Sequence, residues 1–203
     1  MNKRELRGML RQARRAISPW RRRRAARELR RNVGRSGVLL RSRRIAFYVA
    51  TAEEMNLLPL LNQLSWLGKE CYVPVVPPRF QRRLGFSRLT ALPRWYANRF
   101  GIEEHWSPRP VRAWQLDLLL LPLVGFDAEG YRLGMGGGFY DASLAYLMRR
   151  KHWRKPLLVG VGYECQKVER VPREPWDIPL DAVVTEKAWA WCNRNACLGP
   201  YPG

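Results

Sequence analysis

The sequence predicts an α/β protein: a single three-layer domain over residues 1–203, with a mostly parallel, twisted sheet and helices on both faces. Three observations support this fold class. Short apolar runs alternate along the chain with segments of helical periodicity, as they do in parallel-sheet proteins. The run from Leu116 to Leu121 is apolar except at Asp117, as expected for a strand buried on both faces. With 203 residues, 46% of them hydrophobic, the chain is long and apolar enough to fold around a sizeable core.

Two helices open the chain. From Lys3 to Ile17 the apolar residues recur at helical spacing and predict a first helix. Ser18 followed by Pro19 is typical of an N-cap and the first position of a second helix. We expect that helix to run to about Val33 and to stop at Gly34. The basic N-terminal helices then occupy residues 1–34.

The following segments alternate between strand and helix. The predicted strands are 44–50, 71–76, 84–89, 116–121, 157–161 and 182–185, with 84–89 at a sheet edge and antiparallel. The predicted helices are 57–67, closed by Gly68, and the segment from Phe139 to Arg150. Residues 93–115 show no regular pattern, and the tail 193–203 carries no strong signal.

The positive charge is concentrated at the N-terminus. Of a formal net charge of +20, residues 1–44 contribute +15, from 17 Lys and Arg against only Glu5 and Glu28. The run Arg21–Arg24 could form a nucleic-acid-binding surface, which is the alternative function from a different class. We favour the interpretation that it is the solvated face of a helix.

Other features indicate a cytoplasmic protein without a membrane partner. No apolar run reaches the length of a membrane span, and the charged N-terminus has no apolar core typical of a secretory signal. Four cysteines, Cys71, Cys165, Cys192 and Cys197, have no metal-ligand spacing. We expect them to be reduced thiols rather than a disulfide framework.

The most informative segment follows the central strand. Glycines at 134 and 136–138 separate Arg132 from Phe139, where a helical pattern begins. The loop is not a P-loop, which needs Gly-Lys followed by Ser or Thr, and it does not have the spacing of a dinucleotide-binding fingerprint. A cation before the glycines and Asp141 after them indicate a site for a nucleotide polyphosphate and its divalent metal.

The decapeptide RLGMGGGFYD, residues 132–141, resembles the signature of the 5-formyltetrahydrofolate cyclo-ligase family, also called 5,10-methenyltetrahydrofolate synthetase. Two further segments match the family in the same order along the chain. Lys3 to Arg7 resembles its N-terminal Lys-x-x-Leu-Arg motif, and Pro172 to Asp177 resembles its Pro-x-x-x-Trp-Asp segment. The resemblance covers the chain from Lys3 to about Thr185.

The resemblance implies a set of site residues. The ATP-binding residues would be Lys3, Arg7, Arg132, Gly134, Met135, Gly136, Gly137, Gly138, Phe139 and Tyr140. The folate would be bound by Val49, Glu54 and Phe100, and Mg²⁺ by Asp141 and Asp177. Asp127 and Asp181, the competing carboxylates, are interpreted as turn residues. His105 stands where the family commonly has proline, and we expect it at the surface.

The implied enzyme is a ligase that converts 5-formyltetrahydrofolate and ATP, with Mg²⁺, into 5,10-methenyltetrahydrofolate, ADP and phosphate. Its intermediate would be a phosphorylated formyl group, an iminium phosphate. The resemblance also implies a monomer whose partners are small molecules. A polyglutamate tail on the folate would be a polyanion that the basic N-terminal segment could attract.

Overall fold

The computed structural model describes residues 2–90, 94–149 and 155–192. The predicted tail 193–203, Cys197 and the expected helix end at Arg150 lie outside these residues. The helices are α1 (Lys3–Arg15), α2 (Pro19–Arg35), α3 (Val38–Arg41), α4 (Leu58–Trp66) and α5 (Phe139–Leu144). Single 3₁₀ turns cover Ala113–Gln115, Ala145–Arg149 and Glu164–Gln166. Within the described ranges no helix has both the length and the apolar character needed to cross a bilayer.

The strands form one large sheet and two small hairpins. The large sheet contains β1 (Arg44–Ala46), β2 (Glu70–Val75), β3 (Gly85–Arg88), β6 (Leu118–Pro122), β9 (Leu157–Val161), β10 (Ala182–Val184) and β11 (Trp189–Trp191). The hairpins pair β4 (Trp95–Ala97) with β5 (Glu103–His105), and β7 (Gly125–Phe126) with β8 (Arg132–Leu133).

The large sheet has the order β11-β10-β9-β6-β1-β2-β3. Its five inner strands are parallel, whereas β3 and β11 add antiparallel edges. The prediction of a mostly parallel α/β sheet is therefore confirmed, and so is the antiparallel edge strand near residues 84–89. Ligand groups in such folds gather where the parallel strands end.

The core lies on both faces of this sheet because successive strand residues point in opposite directions. In β6, Leu118 and Leu120 join the cluster beneath α2, α3 and α4, whereas Leu119 and Leu121 join the opposite cluster with Leu144 of α5. All four β6 leucines are buried, as the continuous apolar run predicts. A third, smaller cluster fixes α1 near the hairpin β7–β8.

The N-terminal helices begin as predicted but end differently. The Ser18 hydroxyl accepts a hydrogen bond from the Arg21 N–H at 3.4 Å, and Pro19 is the first residue of α2. The predicted stop at Gly34 is wrong, because α2 continues to Arg35. The glycine with a left-handed backbone conformation at this point is Gly37, with φ of 75°, and it separates α2 from the short α3.

Four other features differ from the sequence prediction. The strand expected over residues 44–50 ends at Ala46. The segment 93–115, expected to be irregular, contains the hairpin β4–β5 and a 3₁₀ turn. The helix after the glycines is α-helical only to Leu144 and then becomes a 3₁₀ turn through Arg149. An additional edge strand, β11, pairs with β10.

Candidate functional site

The glycine loop 134–138 connects β8 to α5 and exposes its backbone to solvent. Gly136 and Gly138 have φ values of 103° and 66°, which side-chain-bearing residues rarely adopt. Gly134 differs from them: its φ is outside the left-handed region, and a Cβ placed on it would have no heavy atom within 4 Å. A Cβ on Gly137 would lie 2.9 Å from Phe139 Cδ2, so the fold itself explains three of these glycines, but not Gly134.

Helix α1 brings one predicted cation to this loop and another to the segment that contains Asp177. The Arg7 Nε donates a hydrogen bond to the Gly134 carbonyl at 2.8 Å. One turn earlier, Lys3 Nζ lies 3.2 Å from Asp177 Oδ2 and 3.6 Å from Glu174 Oε1. The i, i+4 spacing of Lys3 and Arg7 thus places both on the helix face that meets the site.

Two leucines on an adjacent face of α1 hold it in this position. Leu6 and Leu10 are buried in the third core cluster together with Leu133. Leu10 approaches so closely that a Cβ at Gly125 would lie 2.5 Å from its Cδ1 atom. At the start of α1, Asn2 and Glu5 form a capping box that satisfies the first backbone N–H groups.

Arg132 joins Asp141 to the segment that contains Asp177. Its Nη2 pairs with Asp141 Oδ1, and its Nη1 donates to the carbonyl of Ile178, the residue after Asp177, at 2.7 Å. The Arg132 side chain is only 6% exposed, so this guanidinium is a fixed part of the site. Asp141 and the segment containing Asp177 therefore lie on either side of one cation.

Asp141 and Asp177 fit a magnesium ion that takes two carboxylates from the protein and its remaining ligands from phosphate and water. Asp141 Oδ2 and Asp177 Oδ1 accept no hydrogen bond from any residue the structure describes. Mg²⁺ typically takes one or two carboxylates and completes its octahedron with phosphate oxygens and water. Over the described residues no group of three or more His, Cys, Asp or Glu could hold a metal without such help.

A cavity of about 750 Å³ opens at the ends of β1 and β2. Its lining includes Val49 and Glu54, as the resemblance implies, together with Tyr48 and Tyr163. The Glu54 carboxylate accepts hydrogen bonds from the Thr51 N–H at 2.9 Å and the Thr51 hydroxyl at 3.1 Å. This volume is within the usual range for small-molecule sites.

Three tyrosines surround Glu54. The Tyr48 hydroxyl donates to the Met55 carbonyl at 2.8 Å, and the Tyr163 hydroxyl donates to the Glu54 carbonyl at 3.3 Å. Burial first, and then the negative charge of Glu54, raise the pKa of both Tyr48 and Tyr140. Because Tyr140 follows the glycine loop, the charge of Glu54 is felt at the predicted nucleotide site as well.

Tyr48 and Tyr163 were not among the residues predicted from sequence. Each lies at or just beyond the end of a strand region, Tyr48 after β1 and Tyr163 after β9. Position beyond the carboxyl end of a parallel strand is the sequence signal that could have identified them.

Phe100 lies at the tip of the β4–β5 hairpin and is 56% exposed. Its ring meets that of Phe139 edge to face, with centroids 6.1 Å apart, and the Arg99 guanidinium lies 5.0 Å from its centroid. Trp95 and Glu103 of the same hairpin line the cavity around Glu54. Phe100 therefore contacts the end of the glycine loop, while its hairpin borders the cavity.

The expectation that His105 lies at the surface is wrong. His105 is 3% exposed, and its Nδ1 lies 2.7 Å from the hydroxyl of Ser87 in β3. Burial lowers its pKa below the ordinary value of 6.5. The interaction ties the β4–β5 hairpin, and with it one wall of the cavity, to the large sheet.

The two competing carboxylates are buried and have structural partners. Asp127 accepts hydrogen bonds from the N–H groups of Glu129, Tyr131 and Val171 at 3.0 Å each. Asp181 accepts one from the Leu158 N–H at 2.7 Å, ahead of β10. The contacts of Asp127 agree with its interpretation as a turn residue, whereas the Asp181 hydrogen bond joins the start of β10 to β9.

Comparison with known proteins identifies the family of this chain. The sequence profile described as the 5-formyltetrahydrofolate cyclo-ligase family matches residues 1–186. The 5-formyltetrahydrofolate cyclo-ligase of Escherichia coli K12 is 37% identical over 188 residues, which cover 90% of this chain and all of that protein.

Solved structures give the same result. The NMR structure of the Aquifex aeolicus 5,10-methenyltetrahydrofolate synthetase superposes with a TM-score of 0.79 at 32% identity, covering 99% of this chain and 98% of that one. The synthetase structure from Mycoplasma pneumoniae, at 23% identity and a TM-score of 0.68, shares the fold over 92% of this chain and 99% of that one. The profile match, the full-length relative and the shared fold all lead to one conclusion: this chain belongs to the 5-formyltetrahydrofolate cyclo-ligase family and is a ligase.

Proposed function

We propose that the protein cyclises 5-formyltetrahydrofolate to 5,10-methenyltetrahydrofolate, consuming ATP with Mg²⁺ and releasing ADP and phosphate. The observation that carries the proposal is a solvent-open glycine loop contacted by Arg7 and bridged by the Arg132–Asp141 ion pair, with Lys3 of the same helix paired to Asp177. Tyr140, which follows the loop, feels the charge of Glu54 in the cavity. A polyanion and a ring rich in N–H donors would be bound side by side.

The polyphosphate of ATP is assigned to the glycine loop and its cations. Arg7 already contacts the loop backbone, and Lys3, one turn earlier on the same helix, is paired with Asp177. Arginine and lysine neutralise phosphate oxygens, and glycines let backbone N–H groups approach them closely. Met135, Gly137, Phe139 and Tyr140 complete the proposed nucleotide site.

The proposed metal ligands are Asp141 and Asp177. When bound, Mg²⁺ would offset negative charge on the transferring phosphoryl group. The ion pairs of these carboxylates with Arg132 and Lys3 would hold them in position near the phosphates.

The folate is assigned to the cavity at Val49 and Glu54, with Phe100 at its outer side. A carboxylate accepts hydrogen bonds from the N–H groups of a pterin ring. With the folate bound here, the N5-formyl oxygen would point towards the glycine loop, on the side where Tyr140 follows the loop. The charge of Glu54 raises the pKa of this tyrosine, after the larger effect of burial.

The chemistry follows from the poor leaving ability of a formamide oxygen. The formyl oxygen attacks the γ-phosphorus, ADP departs, and an N5-iminium phosphate remains. N10 then attacks the formyl carbon, loses its proton, and phosphate leaves with the former formyl oxygen. Positioning and charge stabilisation are sufficient roles for the protein, and no residue is assigned as a general base.

An isotope experiment tests this sequence of steps. With ¹⁸O in the formyl group, we expect the label in the released inorganic phosphate and none in water. Label retained in any folate product, or lost to solvent, would contradict phosphorylation of the formyl oxygen.

The remaining features are consistent with a monomeric, cytoplasmic enzyme whose 203 residues form one domain, and we propose these too. Arg22, Arg23 and Arg27 of α2 line the folate cavity and could attract a polyglutamate tail. In this proposal the basic N-terminal helices serve the substrate rather than a nucleic acid.

A further inference from the structure

The loop between β2 and β3, residues 76–84, carries arginines that lie outside all the motifs described above. Arg82, Arg83 and Arg112 surround a pocket of about 390 Å³, together with Gln81 and Trp114. No carboxylate lines this pocket, and none forms an ion pair with these arginines anywhere in residues 2–90, 94–149 and 155–192.

One of these arginines reaches the glycine loop. A Cβ placed on Gly138 would lie 3.8 Å from Arg82 Nη1. Two residues earlier in the loop, a Cβ on Gly136 would lie 3.9 Å from Arg7 Nη2. The glycine loop is therefore flanked by two guanidinium groups, from α1 and from the β2–β3 loop.

The end of the β2–β3 loop is attached to α5. The Ser143 hydroxyl accepts a hydrogen bond from the Leu84 N–H at 2.8 Å and donates to the Phe139 carbonyl at 2.6 Å. Both Ser143 and Leu84 are buried. Arg82, two residues before Leu84, is thus held beside the glycine loop by a contact that does not involve its own charge.

We propose that Arg82 is a nucleotide-binding residue, a cation that contacts the phosphate oxygens held by the glycine loop. The inference rests on the proposed assignment of ATP to that loop and extends the nucleotide site to the β2–β3 loop. Because no carboxylate of the described ranges pairs with Arg82, its guanidinium can turn its donors to phosphate, which arginine binds in a bidentate manner.

The test compares Arg82→Gln with Arg79→Gln, which removes the same charge from the same exposed loop. Arg79 lines none of the cavities described above. Isothermal titration with a non-hydrolysable ATP analogue and Mg²⁺ gives Kd, and steady-state kinetics give the KM for 5-formyltetrahydrofolate. ADP and inorganic phosphate, titrated in parallel, distinguish a nucleotide contact from a general phosphate site.

For Arg82→Gln we expect the Kd of the ATP analogue to rise about 10- to 100-fold, with the KM for the folate unchanged and Tm within about 1 °C of wild type. Arg82→Lys should recover part of the loss, and Arg79→Gln should remain within about twofold of wild type.

Equal Kd values for the Arg82→Gln and Arg79→Gln variants would overturn this inference and leave the proposed function standing. A loss seen only with inorganic phosphate would also overturn it. A wild-type protein that binds no ATP analogue would refute the proposed function together with the inference.

Discussion

The sharpest prediction concerns Gly134, because the structure gives no internal reason for a glycine there. Its φ lies outside the left-handed region, and a Cβ would have no heavy atom within 4 Å. Gly134→Ala should therefore leave the free energy of unfolding unchanged or raise it by about 0.4–1 kcal/mol, through the unfolded state. If phosphate oxygens approach this backbone, however, the added methyl group will obstruct them.

The expected effect on ATP binding follows from the hydrogen bond that the methyl group would prevent. One hydrogen bond to a charged group is worth about 1.5–3 kcal/mol, so losing one raises the KM for ATP about 10- to 150-fold. Gly8→Ala is the matched control, because Gly8 is exposed on α1 and a Cβ there also has no heavy atom within 4 Å. It should stabilise the helix by up to about 1 kcal/mol and leave the KM unchanged.

The assay combines thermal unfolding with steady-state kinetics at saturating folate. A Gly134→Ala variant with wild-type stability and a wild-type KM for ATP would refute the assignment of this part of the loop to the nucleotide. A variant that lost stability would instead refute the inference that the position is open.

Three further predictions test the carboxylates and the buried histidine. Asp141→Asn should keep the fold, because the amide oxygen can still accept a hydrogen bond from Arg132. The same substitution should reduce kcat by about 100-fold or more. Near wild-type turnover across a Mg²⁺ titration would refute the metal assignment. Glu54→Gln should raise the KM for the folate at least about tenfold without changing ATP binding, and a change confined to ATP would contradict the cavity assignment. Burial lowers the pKa of His105, so near and below about pH 6.5 the unfolded state binds more protons than the folded state, and stability falls as the pH drops towards the folded pKa. The His105→Gln variant should therefore show a smaller fall in Tm between about pH 7.5 and 5.5 than the wild type. A fall equal to that of the wild type would disprove this role.

Local sequence signals were sufficient for the elements that depend on local physics. The apolar run after Asp117 predicts a strand buried on both faces, and Ser18-Pro19 predicts the start of α2. Gly68, with φ of 62°, ends the region of α4 as expected. Each of these features acts within a few residues of itself, so one sequence contains the required information.

The features that were missed depend on distant partners. The strands of the β4–β5 hairpin are three residues each, too short for an alternating pattern. His105 is buried because it meets Ser87 from another sheet, which its own neighbours in sequence do not reveal. Likewise, α2 continues past Gly34 because the packing of the helix outweighs the weak propensity of one glycine.

For the site, the sequence identified the residue types but not their mutual pairing. The resemblance assigned Lys3 to phosphate and Asp177 to metal, whereas the structure places the two in an ion pair. Arg132 and Asp141 are paired in the same way. Only the three-dimensional arrangement reveals that these cations also hold the carboxylates in position.

The measurement that tests the central claim most directly is the absorbance of the methenyl product during incubation with 5-formyltetrahydrofolate, Mg²⁺ and ATP. We predict a rise that requires both ATP and Mg²⁺ and is accompanied by one ADP and one phosphate per product formed. No rise, with MgATP still bound, would retain the phosphate site and refute the folate assignment. No rise and no nucleotide binding would contradict the whole account and return attention to the basic surface of the N-terminal helices.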